Sequence, residues 1–165
     1  MIEIKPRIRY LLERTRGFSD KLLATFLQPS EWLHQVVPGG NHALWFTGHM
    51  GIVDIWLMRT VAPGSATEAP PVFREKFGPK SQPTSNPADY PPSDQVLTFM
   101  RDQRSALLQL FDRLPEDEMT RSLSGGPPFI RDVGSAFEFL VFHEGLHAGQ
   151  VTVARRALEH PPIVG

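Results

Sequence analysis

The sixteen prolines and thirteen glycines of this 165-residue chain are clustered, and the clustering leaves four long stretches almost free of helix breakers. The first covers about residues 6–27. Pro6 suits a first helical turn, and Ile8, Leu11, Leu12, Thr15, Leu22, Leu23 and Phe26 recur at helical spacing in spite of Gly17. The second, residues 41–61, opens on Asn41 as a capping residue and carries Trp45, His49, Ile52 with Val53, and Trp56 on one stripe. The third runs from the capping pair Ser93-Asp94 to about Arg113, with Val96, Leu97, Met100, Leu107, Leu108 and Phe111 as its face. The fourth, residues 128–159, stops before Pro161-Pro162 and has a broad apolar face from Val133 through Phe137, Leu140 and Leu146 to Leu158. No stretch alternates with period two between hairpin turns. The expectation is an all-α chain, one domain over residues 1–165, folded as a four-helix bundle. The proline-rich residues 62–92 read as a long extended crossover between the second and third helices. Residues 29–33 and 115–119, each opened by a proline, read as single helical turns.

The two halves of the chain are alike. Leu22-Leu23-x-x-Phe26 precedes Pro29, with Gly39-Gly40 ten residues further on; Leu107-Leu108-x-x-Phe111 precedes Pro115, with Gly125-Gly126 ten residues further on. In each half a histidine-bearing helix follows. Either the likeness is chance, or the halves are related helical hairpins that give the bundle a pseudo-two-fold.

Composition removes several function classes. Hydrophobic residues make up 41% and charged residues 21%, so the chain can bury a core and disorder is not expected. A net charge of −1 argues against a nucleic-acid partner, which needs a basic stripe to displace phosphate counterions. The longest largely apolar stretches, residues 137–142 and 52–58, are too short to span a bilayer, and residues 1–6 show no leader-like apolar run. The cytoplasm is the expected compartment. The absence of cysteine excludes disulfides, a thiolate nucleophile and sulfur ligands, so any metal must be held by nitrogen and oxygen.

The sharpest motif is His143-Glu144-Gly145-Leu146-His147. On a helix, residues i and i+4 lie about 40° apart around the axis and about 6 Å apart along it. Two imidazoles so placed can converge on one ion. The string also satisfies the H-E-x-x-H signature of zinc proteases, in which the glutamate activates water. That alternative lacks a third ligand: Gln150 and Val153 stand where an extended motif needs Gly and His, and only Glu159 follows as an acid. Upstream, His34 falls in a loop, His42 in a first turn where a surface position is ordinary, and His160 at the end of the chain. His49 instead lies mid-helix on the buried stripe. A single buried histidine is usually a hydrogen-bonded core residue, but three unsatisfied imidazoles in one interior would cost several kcal/mol, which a shared ion removes. Gly48 and Gly51 flank His49 at a helix-interior cost of about 1 kcal/mol each, as close approach of another element would explain.

Asn41-His42-Ala43-Leu44-Trp45-x-x-Gly48-His49 and His143-x-x-x-His147-Ala148-Gly149-Gln150 resemble the paired signatures of the DinB-like superfamily, and the likeness covers nearly the whole chain. The resemblance implies a four-helix bundle with a divalent metal on His49, His143 and His147. It further implies a homodimer and, in some members, a thiol-dependent S-transferase or isomerase that uses an external low-molecular-weight thiol. Older labels for such proteins read metal-dependent hydrolase. Gln150, on the ligand face, is a candidate second-layer or pocket residue. Glu144, about 100° off the His143 direction, is expected to face a neighbouring helix or solvent. Arg155 and Arg156 read as a solvated helix end that complements the dipole. Trp45 and Trp56 read as core anchors, and Gly145 and Gly149 as places where another helix, a subunit or a substrate approaches.

Three imidazoles leave open positions on an ion, as catalytic sites require. Such an ion could activate water for hydrolysis or hold an external thiolate as nucleophile. The leading expectation is a metal-dependent transferase for small molecules. A metal-dependent hydrolase and a non-catalytic metal-binding or sensor bundle are the alternatives, and Zn, Ni, Fe and Mn all suit the donor set.

Overall fold

The computed structural model describes residues 3–124 and 127–163. Its α-helices are α1 (Ile4–Leu23), α2 (Ala43–Val61), α3 (Pro71–Phe77), α4 (Ser93–Arg113) and α5 (Val133–Ala157). Short 3-10 turns stand at Glu31–Leu33, Pro87–Asp89 and Glu116–Thr120, two of them at the proline-opened turns expected from the sequence. Among the described residues there is no strand, only a lone antiparallel bridge between Ser122 and Asp132. The architecture is an all-helical bundle of four long helices. No helix among the described residues is long and apolar enough to cross a membrane.

Local chemistry sets the helix ends. Asp132 and Ser135 form a reciprocal capping box at the start of α5: Asp132 Oδ1 accepts from Ser135 N at 2.8 Å, and Ser135 Oγ accepts from Asp132 N at 3.0 Å. This cap starts the helix at Val133, five residues later than Pro128. The cap of α2 is His42, not Asn41: its Nδ1 accepts the Trp45 backbone N–H at 3.1 Å.

Two expectations about connectivity are corrected. Residues 62–92 are not simply extended, because α3 and the 3-10 turn at Pro87–Asp89 form within them. Pro71 at the first turn of α3 and the i, i+4 pair Phe73 and Phe77 are the local reason. Nor do the halves form hairpins of packed neighbours. The main pairings are α2 with α4, α1 with α5, and α2 with α5, while ion pairs from Arg9 to Asp112 and from Arg101 to Asp20 bind α1 to α4. The helices joined in sequence, α1–α2 and α4–α5, therefore stand diagonally, and each connecting segment crosses an end of the bundle. Exchanging the two halves maps this set of pairings onto itself. The Gly125-Gly126 element of the repeat lies outside the described residues.

The core contains a feature that the apolar pattern does not announce. Arg16 of α1, Asp54 of α2, Arg104 of α4 and Glu144 of α5 meet in the interior, one charged residue from each long helix, all buried. Arg16 Nε donates to Glu144 Oε1 at 2.7 Å, and Arg104 Nη2 to Glu144 Oε2 at 2.8 Å and Asp54 Oδ1 at 2.9 Å. Ser19 Oγ adds a bond to Glu144 Oε1 at 2.8 Å. Two cations face two anions, so the set is neutral. Asp54 and Glu144 are each the twelfth residue of their helix, a further correspondence between the halves.

Some side chains point differently from expectation. Leu146, placed on the inner face of α5 by its spacing, is 52% exposed, and Trp56 is 36% exposed rather than a fully buried anchor. Arg155 is buried instead of solvated: Nε donates to Thr25 Oγ1 at 2.8 Å and Nη1 to the Pro161 carbonyl. Arg156 stays exposed.

Candidate metal centre

His49, in the middle of α2, is buried, with its ring stacked on Trp45 at a centroid distance of 4.3 Å. Trp45 is itself fixed by Nε1 donating to Ser81 Oγ at 2.7 Å. Gly48 beside His49 is the opening through which the chain segment carrying α3 enters. A Cβ there would lie 2.2 Å from the Phe77 ring, so only glycine lets Phe77 reach this depth. Gly51 gives the same room to Phe99, whose ring would lie 2.4 Å from an added Cβ. Both mid-helix glycines thus serve close approach. Once seated, Phe77 offers its carbonyl to His49 Nδ1 at 2.7 Å. The proton therefore sits on Nδ1, and Nε2 keeps its lone pair.

Helix α5 brings His143 and His147 to the same place, as i, i+4 geometry requires. Ring centroids lie 5.2 Å apart for His49 and His143, 5.0 Å for His49 and His147, and 4.5 Å for His143 and His147. One ring nitrogen from each of the three lies within 4.8 Å of the others. Nε2 of His147 and Nε2 of His143 face each other at 3.2 Å. Nδ1 of His147 donates to Gln150 Oε1 at 2.9 Å, an oxygen that also accepts from Asn41 Nδ2 at 3.0 Å. His147 therefore turns its lone pair inward. Nδ1 of His143 is buried and without a partner among the described residues.

The electrostatics match a metal donor set. Burial, more than any neighbour, pushes His49 down to about 4, with His147 and His143 adding to the shift against the Phe77 carbonyl. Burial followed by the proximity of His147 takes His143 to about 4, and burial lowers His147 against the Gln150 hydrogen bond. All three rings are neutral at pH 7, the form that binds a cation. Two nitrogens 3.2 Å apart suit two bonds of about 2.1 Å to one ion. Converging ring nitrogens, outer nitrogens fixed on His49 and His147, and neutral rings fit a divalent metal.

The other candidates fall elsewhere. His42 is buried rather than on the surface: besides capping α2, it turns Nε2 to the Thr84 carbonyl at 3.0 Å. His160 pairs with Glu31 at 3.0 Å, and His34 lines a surface cleft of about 660 Å³ with Leu33, Pro38 and Pro87, none of which belongs to the histidine cluster. Glu144 does face neighbouring helices, and both of its oxygens are taken by Arg16, Ser19 and Arg104. Burial would raise its pKa, but the two guanidiniums hold it well below the usual carboxylate range. A carboxylate so held does not activate a water on His143 and His147, which removes the zinc-protease reading of the motif. Sequence reasoning missed the Phe77 carbonyl, Ser81 and Asn41. Only Asn41 carried a local signal, as part of the motif around His49.

The family model described as the DinB superfamily matches residues 11–151, from α1 to beyond His147. No curated protein matches the chain.

Proposed function

This chain belongs to the DinB superfamily, and from that membership and the histidine cluster we propose that it is a metal-dependent enzyme for small molecules, of the thiol-dependent S-transferase type, working as a homodimer. The observation that carries the proposal is the convergence of three neutral imidazoles, one nitrogen of each within 4.8 Å of the others. His49, His143 and His147 would hold a divalent ion, which when bound supplies a Lewis acid that lowers the pKa of a thiol or a water presented to it. The chain's other residues keep that donor set in place. Phe77 fixes the tautomer of His49 through its carbonyl, and Gln150, steadied by Asn41, fixes that of His147. Hydrolysis also needs a base to take a proton from water, and Glu144, the carboxylate of the motif, is occupied in the core. A thiol ionises far more readily, so this site suits a thiolate nucleophile better. With no cysteine in the chain the thiol comes from outside.

The test begins with elemental analysis of protein purified without a histidine tag. We expect one divalent ion, Zn, Ni, Fe or Mn, per chain. Replacing His49, His143 or His147 by Ala should abolish its retention, and His34→Ala or His160→Ala should not. A screen of low-molecular-weight thiols with small electrophiles should then give thiol-dependent turnover that chelation stops. Ester or amide cleavage without thiol would move the assignment to a hydrolase, and failure to take up any divalent ion would overturn it.

A further inference from the structure

The histidine cluster borders a cavity of about 290 Å³ whose walls are Ile52, Val53, Trp56 and Phe139, with His49 and His143 completing one side. Pro79, two residues beyond α3, and Pro127 also line it. Two of the three clustered imidazoles therefore face this space, and among the described residues none that lines it is charged. A carboxylate, phosphate or ammonium entering it would give up hydration for walls with no counter-charge. Of the neighbouring cations, Arg59 and Arg74 line an adjoining cavity that shares Ile52 and Trp56, both paired with Glu68, and Arg131 lines another that shares Phe139; none of the three lines this one.

The walls also have a shape. Trp56 meets Phe139 edge to face at 6.1 Å, and the Phe139 ring lies 5.2 Å from that of His143. An aromatic surface thus runs from the partly exposed Trp56 to one of the three histidines. Its volume stands at the small end of ligand pockets, which span about 300–1,000 Å³. Planar apolar groups pack on such walls by offset or edge contacts. We infer that this cavity takes the apolar, uncharged part of the substrate, an aromatic or similarly compact hydrophobic group, and so selects hydrophobic electrophiles for the reaction proposed above. The inference rests on the metal-dependent reading for its chemistry but not for the binding itself.

The test compares three hydroxamates, each able to chelate through the same head group, on zinc-loaded protein. Benzohydroxamate should bind at least about tenfold more tightly than acetohydroxamate, since its ring enters the apolar cavity. Malonomonohydroxamate, which carries a carboxylate at that position, should bind no better than acetohydroxamate. Trp56→Ala and Phe139→Ala should each shrink the advantage of the phenyl group to within about threefold, with melting curves showing that each variant is folded. On metal-free protein, benzyl alcohol should shift the tryptophan fluorescence and benzoate should not, and the shift should vanish in Trp56→Phe. Equal binding of the three hydroxamates to zinc-loaded protein would overturn the inference while leaving the metal site standing. No zinc uptake, together with a benzyl alcohol response, would overturn the metal site while leaving the cavity's preference standing.

Discussion

Two buried titratable residues outside the cluster, His42 and Glu144, contribute to the response to pH and to charge removal. His42 has both ring nitrogens engaged, accepting from the Trp45 N–H and donating to the Thr84 carbonyl, so it is a structural histidine where His49 keeps one nitrogen free. Burial lowers it to about 4, against the hydrogen bond to Thr84 that raises it. The unfolded chain, with a histidine pKa near 6.5, then takes up a proton before the folded one does. This part of the stability is complete above about pH 6.5 and is lost as pH falls through about 4, with a size of roughly 3 kcal/mol. His42→Asn keeps a capping side chain and should flatten the pH dependence of the urea midpoint between pH 6.5 and 4; an unchanged slope would refute the role. Glu144→Gln tests the core network at a pH where histidine is neutral. It leaves two buried guanidiniums facing one carboxylate, so we expect a loss of about 3–5 kcal/mol with metal stoichiometry unchanged. A variant as stable as the parent would show that the network contributes little. The sequence made His49, His143 and His147 legible because the apolar stripe aims His49 inward, i, i+4 spacing pairs His143 with His147, and the resemblance to the DinB-like superfamily joins the three. It misled on His42, since a first-turn residue is ordinarily exposed and the cover comes from Thr84 and Tyr90, distant in sequence.

At the scale of elements, the long helices were legible and the crossover was not. Breaker-free stretches with an apolar stripe identified α1, α2, α4 and α5 to within a few residues. The proline-rich segment hid α3, because a seven-residue helix has too few turns to show a period. What stabilises α3 is tertiary: Phe77 is fully buried against Gly48, and Phe73 packs on Phe99 at 4.2 Å. The glycines announced a close approach without naming the element that approaches. Gly48→Ala separates propensity from packing. Alanine would favour the isolated helix by about 1 kcal/mol, but its Cβ would lie 2.2 Å from the Phe77 ring. Pushing Phe77 out also draws its carbonyl away from His49 Nδ1. We expect a net destabilisation of about 1–3 kcal/mol and weaker metal retention, read from urea midpoints and from dialysis against a chelator. An increase in stability would mean that α3 adapts freely and holds nothing in place.

At the scale of the whole molecule, the bundle covers α2 on almost every side and, among the described residues, leaves one face of α5 without a partner. Phe142, Leu146 and Val153 are 65%, 52% and 56% exposed there, and a Cβ added at Gly145 or Gly149 would meet nothing within 4 Å. Phe142, Gly145, Gly149 and Val153 fall on a single line along the helix, with Glu138 at one end of that line and Arg156 at the other, both exposed. We expect a second copy of this chain to cover that line. In an antiparallel two-fold pairing that sets Gly145 against Gly149 of the other copy, residue numbers in opposition have a constant sum, so Glu138 falls opposite Arg156, and the symmetry repeats the pair. In such a pairing the glycines would let the two helices approach closely, the apolar side chains would fill the flanks, and the charges would fix the register. The homodimer of the proposed function should therefore form through α5. Phe142→Asp and Leu146→Arg should each give a monomer by light scattering at micromolar concentration. Arg156→Glu should weaken the dimer by placing like charges in opposition, and Glu138→Arg combined with Arg156→Glu should restore it. That rescue would not occur if the two residues did not face each other, and a parent protein that is already monomeric would dispose of the pairing altogether.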